Sequence, residues 1–163
     1  MTSPSIVRPA TPDDLEEIWR MFRQLWAENA LFEISDRKVQ YYLDRLLHPE
    51  LIEPEDTGPR GFIGVIGPVG ALEGCIMLTL GAAWYSEEIT LDEHLNYVDP
   101  SHRKSDHSKV LIGYAKHMAE TIGIKLVIGV LSTHRTAAKV RLYERQLTQA
   151  GAFFVWPAPQ GLQ

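Results

Sequence analysis

Residues 96–114 read NYVDPSHRKSDHSKVLIGY. An apolar strand end (Leu95, Tyr97, Val98) is stopped by Pro100, a polar loop runs from Ser101 to His107, and a helix with an apolar face starts near Ser108. A strand, a basic turn and a helix N-terminus in succession make an anion site. The first N–H groups of a helix have no acceptor inside it, and the helix dipole adds partial positive charge there. Arg103, Lys104 and Lys109 bring cations to that terminus, opposed only by Asp106, in a chain whose net charge is −5. Positive charge gathered locally in an acidic protein points to a small anionic ligand rather than to nucleic acid.

Upstream of this stretch the pattern is regular. Residues 6–10 read as a short strand. Thr11-Pro12-Asp13-Asp14 is a helix start, with Thr11 as cap, and Leu15, Ile18, Trp19, Phe22, Leu25 and Trp26 give that helix one apolar face. Asp36 is placed to cap a second helix carrying Val39, Leu43, Leu46 and Leu47. Residues 48–59 hold three prolines and form a loop. Gly61–Ile66 and residues 71–80 are expected to pair as a hairpin through the Gly67-Pro68-Val69-Gly70 turn, and after a break at 81–88 a fourth strand covers Ile89–Val98.

Downstream, a helix over 108–122 is ended by Gly123. The apolar run 126–131 reads as a strand buried on both faces and parallel to the fourth, because a helix separates them. A helix over 134–149, a final strand over 152–156 and a loose tail over 157–163 complete the order β-α-α-β-β-β-α-β-α-β. The expectation is an α/β chain of a single domain spanning 1–163, a mixed central sheet flanked by helices.

Composition narrows the function. Hydrophobic residues are 45% and charged residues 23% of 163, enough for one sizeable core and against disorder. No apolar run reaches the length of a membrane span, and residues 1–10 lack the apolar segment of a signal peptide. The single Cys75 lies in an apolar run and excludes an internal disulfide. A cytoplasmic location, without membrane or nucleic-acid partners, is expected. No His or Cys spacing suggests a metal site, and no nucleophile-elbow or P-loop motif is present.

The opening stretch resembles the acyl-CoA pyrophosphate motif of the GNAT N-acetyltransferases, V-x-P-x-x-R/Q-x-x-G-x-G/A. Val98, Pro100 and Arg103 match it; Asp106 stands at the first small position and Ser108 at the second. Asp106 must therefore turn away or cap the helix, and aspartate tolerates left-handed turns better than most residues. The R-K-S-x-H-x-K variant is similar to a branch seen among phage and prophage acetyltransferases. A second resemblance lies at 136–154, where Leu142, Tyr143 and the Gly151-Ala-Phe ending are similar to the N-x-x-A-x-x-L/F-Y-x-x-x-G-F pattern, with Thr136 in place of Asn, Lys139 in place of Ala and a longer gap before Gly151, so that the turn after this helix must differ.

The resemblance implies a single-domain GNAT-like fold, acetyl-CoA as cosubstrate, and direct transfer to a primary amine of a small molecule or protein in a ternary complex. It implies that Tyr97 and Val98 contact the acyl arm, that Arg103, Lys104, Ser105, Asp106, His107, Ser108 and Lys109 surround the pyrophosphate, and that Thr136 borders the cofactor. Tyr143 is then the general acid for the leaving thiolate. The base is less determined: Glu93 is preferred over His94, Glu87 and Glu88, and strand alternation places Glu93 and His94 on opposite faces. The resemblance further suggests that Trp26, Leu31, Phe32 and Tyr41, with residues 81–88, border the acceptor, and that a homodimer forms. The competing expectation is a GNAT-like module that binds acyl-CoA or a protein partner without catalysis.

Overall fold

The computed structural model describes residues 6–29 and 31–159. The expected tail and the N-terminal decapeptide therefore lie partly outside the described residues. The chain begins with β1 (Arg8–Pro9), a 3-10 turn (Pro12–Asp14) and α1 (Leu15–Asn29). Asp14 is fully buried and locks this start: Arg8 donates two bonds to its carboxylate, both 2.8 Å, and the Thr11 N–H donates a third at 2.8 Å. α2 covers Asp36–Leu47. Its cap is Ser35, whose hydroxyl accepts the Lys38 N–H at 3.3 Å, and not Asp36. Asp36 is instead the first helical residue, where its carboxylate meets the helix dipole.

β2 (Gly61–Ile66) and β3 (Gly74–Ala82) pair antiparallel across a turn in which Gly67 has φ +104° and Gly70 φ +84°, a backbone region that favours glycine. β4 (Ile89–Val98) pairs antiparallel with β3. After α3 (His107–Ile122), Gly123 turns the chain with φ +81° into β5 (Lys125–Val127), parallel to β4. The sheet order is β1-β2-β3-β4-β5. α4 is Thr136–Glu144.

Period-2 alternation in the strands divides the core between two faces. Cys75, Met77 and Val65 pack with Ile18, Met21, Leu43 and Leu47 of α1 and α2; Ile76 and Leu78 pack with Leu111, Ala115 and Ala119 of α3. Burial pushes the Cys75 thiol up to about 12, so it is an inert core group.

β4 breaks the alternation once. Met77 opposes Leu95 but Leu78 opposes Glu93, so His94 is an extra residue, a β-bulge. Leu91 packs toward α3, whereas Leu95 and Tyr97, of the same parity, pack toward α1 and α2. The inserted residue has reversed the phase of the strand. Glu93 and His94 therefore do not divide between two faces as strict alternation requires; both line the cavity described below.

The C-terminal part departs from expectation. β5 has three residues instead of six, and Val127 and Leu131 stay about half exposed. Residues 152–156 form no strand: Phe153, Phe154 and Trp156 are 72%, 93% and 92% exposed. Their β-propensity is high, but β5 leaves β4 after Val127 and offers no edge long enough to pair with. α4 is shorter than 134–149 because Arg135 begins it in a left-handed turn (φ 53°) and the Gln146 and Leu147 N–H groups both close on the Tyr143 carbonyl.

Candidate active site

β4 and β5 are paired only from Thr90↔Lys125 to Asp92↔Val127. Beyond Asp92, next to the bulge, the two segments part. A cavity of about 440 Å³ opens at the parting. It is walled by β4 (residues 92–96), segment 129–132, the C-terminal half of α1, and Lys139 and Tyr143 of α4.

Tyr143 meets β4 here: Asn96 Nδ2 donates to its hydroxyl oxygen at 3.2 Å. Burial, helped by the nearby Glu93 carboxyl, raises the phenol well above its ordinary pKa, so it keeps its proton. Glu93 lies on the same wall. Burial pushes its carboxyl up to about 8, against a hydrogen bond with the Gly129 backbone that favours ionisation. A carboxyl that titrates near neutrality is suited to proton transfer. His94, shifted down by burial, is held by Thr79 through a 2.5 Å contact between Nε2 and the hydroxyl, with the Tyr42 ring edge-on at 6.1 Å.

Lys139 is a residue whose position the sequence pattern did not reveal. Its ammonium donates to Asn29 Oδ1 at the end of α1 and to Ser132 Oγ at 2.9 Å; Asn29 and Ser132 are each 7% exposed. Burial lowers its pKa. The signals available were a lysine in place of a small residue and its four-residue spacing to Tyr143, which puts both on one helix face. Asn29 and Ser132 carried none.

The basic loop lies at the other end of β4. Arg103 Nη2 bonds both carboxylate oxygens of Glu28 at 2.8 Å, its Nε donates to the Val98 carbonyl at 3.1 Å, and its guanidinium lies 5.3 Å from the Tyr97 ring centroid. The Tyr97 hydroxyl also donates to Glu28, at 3.0 Å, and burial raises it to about 12. Lys104, Ser105 and Lys109 are exposed at the start of α3, and Ser108 is half-buried. His107 is buried, bonded to Glu73 at 2.6 Å and stacked on His102 at 5.5 Å. Its backbone N–H donates to Ser105 Oγ at 3.2 Å. Asp106 occupies the N-cap with φ −86°, not in a left-handed turn, and its side chain makes no capping bond. Thr136 uses its hydroxyl to bond the Ser132 carbonyl at 2.9 Å.

Trp26, Leu31 and Phe32 are on the cavity wall. Tyr41 is not: its ring lies against Arg45 of α2 and its hydroxyl end against Gly58 of the loop before β2, and residues 81–88 also do not line the cavity. Among the described residues no group of three His, Cys, Asp or Glu could hold a metal ion, and no helix is long and apolar enough to cross a membrane.

No protein-family model matches the sequence, and no curated protein matches it. Solved structures do. AAC(6′)-Iy in complex with the bisubstrate analogue CoA-S-monomethyl-acetylneamine superposes with TM-score 0.68 at 13% identity, covering 96% of this chain and 99% of that one. An aminoglycoside acetyltransferase from an uncultured soil metagenomic sample, in complex with trehalose, gives 0.63 at 15% identity over 95% and 97%. The ribosomal-protein-alanine N-acetyltransferase of Brucella melitensis biovar Abortus 2308 gives 0.64 at 16% over 96% and 99%. The chain has the GNAT acyl-CoA N-acyltransferase fold. At these identities the likeness is one of fold. Within this GNAT fold the bulged β4, the basic loop and the N-terminus of α3 are consecutive, so a single stretch of chain links the cavity to the cationic turn.

Proposed function

We propose that the chain transfers an acetyl group from acetyl-CoA to a primary amine, of a small molecule or a protein, by direct attack in a ternary complex. The observation that carries this reading is the Tyr143 hydroxyl, held by Asn96 at the point where β4 and β5 part. Arg103, Lys104 and the first-turn amides of α3 face the pyrophosphate, with Ser105, Asp106, His107, Ser108 and Lys109 shaping that turn. The unpaired edge of β4 through Tyr97 and Val98 receives the acyl arm, and Thr136 borders it. Glu93, ionised at and above its pKa of about 8, takes a proton from the acceptor ammonium. The amine then forms a C–N bond to the thioester carbonyl, the tetrahedral intermediate collapses with cleavage of C–S, the thiolate takes the Tyr143 proton, and the surplus proton on the new amide nitrogen returns to the Tyr143 phenolate.

One observation favours a second reading, a GNAT-like module that binds acyl-CoA or a protein without catalysis. Arg103 is closed on Glu28 by a bidentate pair. Thermal unfolding with and without acetyl-CoA tests the cofactor site. Ligand at about 100 times its dissociation constant stabilises by roughly 2.7 kcal/mol, a rise of about 5–10 °C for a chain of this size. The rise is expected for the native chain and lost in an Arg103→Ala/Lys104→Ala variant. No rise at millimolar acetyl-CoA sinks the transferase reading; a rise without release of CoA thiol in the presence of amines supports the second.

A further inference from the structure

The cavity walls differ sharply in chemistry from what a polycation needs. α1 and the segment after it contribute Phe22, Leu25, Trp26, Leu31 and Phe32, and Phe153 adds a further ring. Phe22 and Trp26 are stacked, centroids 5.8 Å apart, and so present one continuous aromatic surface. Phe32, Leu131 and Phe153 keep 57%, 51% and 72% of their surface exposed. Large apolar side chains left uncovered around one concavity mark a site for an apolar ligand.

Polar groups are few. The titratable groups facing the cavity are Asp92, Glu93, His94, Lys139 and the protonated Tyr143 phenol. Asp92 accepts the Thr90 hydroxyl at 2.8 Å, and His94 is taken up by Thr79. Asp92 also turns its Oδ2 over Gly81 of β3, which leaves Glu93, beside Tyr143, as the carboxyl that meets an ammonium at the reacting end. Lys139, held by Asn29 and Ser132, places a cation in the same space. A second ammonium on the ligand would lose its water, find only the Asp92 carboxylate already bonded to Thr90, and meet a like charge at Lys139.

We infer that this cavity takes a monoamine with an apolar or aromatic body, an arylalkylamine, and rejects polycations such as aminoglycosides and short diamines. The inference deepens the acetyltransferase reading and rests on it. Glu93 meets the single ammonium, the Phe22–Trp26 surface and Phe32 cover the ring, and Lys139 excludes a second positive charge.

The test is release of CoA thiol from acetyl-CoA with phenethylamine, 1,4-diaminobutane and sisomicin as acceptors, run beside the acetyl-CoA thermal shift. kcat/KM for phenethylamine is expected to exceed that of either polycation by about 100-fold, the scale on which an unpaired buried charge discriminates. Phe32→Ala, at an exposed position where folding is not at risk, should raise the phenethylamine KM about 10-fold and keep the thermal shift. Lys139→Gln should narrow the gap between phenethylamine and the diamine. Equal or greater kcat/KM with sisomicin or the diamine overturns the selectivity and leaves the transferase reading standing. A thermal shift with no transfer to any of these amines overturns the selectivity in favour of a non-catalytic module. Absence of the shift removes both readings.

Discussion

Asn96 of β4 donates to the hydroxyl of Tyr143 of α4 at 3.2 Å, across the opening where β4 and β5 part. This bond orients a phenol whose raised pKa keeps it protonated, the state a proton donor needs. Tyr143→Phe is expected to lower kcat about 100-fold while the acetyl-CoA thermal shift is retained. Asn96→Ala should lower kcat less, about 10-fold, since it removes orientation and not the donor. Steady-state kinetics with thermal shift checks both; equal kcat for Tyr143→Phe and the native chain would remove the general-acid role.

In the proposed reaction Glu93 makes turnover pH-dependent. Its pKa of about 8 arises from burial, so kcat/KM should rise through pH 8 as the base ionises, and Glu93→Gln should abolish that limb. The same group acts on stability in the opposite sense. Folded Glu93 holds its proton at pH values where the unfolded chain, with a carboxylate pKa near 4.3, has lost it. The unfolded state then binds fewer protons, and stability falls as pH rises from about 4.3 to about 8. Melting curves across that range should slope downward in the native chain and more weakly in Glu93→Gln.

Much of the frame is legible in the sequence because local signals and burial agree there. Residues Ile89–Val98, Gly61–Ile66 and the stop at Gly123 follow from patterns that the packing rewards. The end of the chain is not legible in this way. Phe153, Phe154 and Trp156 have strand propensity, but a strand needs a neighbouring edge, and its absence after Val127 is a tertiary fact. The bulge at His94 is likewise invisible to alternation, which is why the placement of Glu93 and His94 on opposite faces fails. Arg103 reads as a phosphate ligand from its loop; that Glu28, some 75 residues earlier, meets it depends on the fold. Lys139, Asn29 and Ser132 form a polar cluster only because α4 packs against the end of α1.

The Arg103–Glu28 pair predicts an internal competition. A pyrophosphate that takes Arg103 must displace a bidentate carboxylate that Tyr97 also holds. Glu28→Gln weakens that hold without removing side-chain volume, so KM for acetyl-CoA should fall about 3- to 10-fold, and Arg103→Ala should raise it by at least as much. Titration of each variant by thermal shift measures the effect. An unchanged or higher KM in Glu28→Gln would show that Arg103 does not leave Glu28 when the cosubstrate binds.

The Arg8–Asp14 pair sets a stability prediction independent of the site. Asp14 has no exposed surface, while the Arg8 side chain is 32% exposed. The hydrogen bonds from Arg8, foremost, hold the Asp14 carboxyl below the ordinary carboxylate range. A depressed carboxyl stabilises the fold above its unfolded pKa, near 3.9, and that contribution is lost as pH falls through the lower folded value. Asp14→Asn removes the charge but keeps the shape. Because Arg8 can turn partly to water, the cost should sit at the low end for a broken buried pair, about 3 kcal/mol, or roughly 6–12 °C in Tm. The deficit of the variant should shrink as pH falls below the unfolded value toward the lower folded one, where the native Asp14 is itself being protonated. A deficit that stays constant into acid would assign the loss to the N–H of Thr11 and local packing instead of to the ion pair.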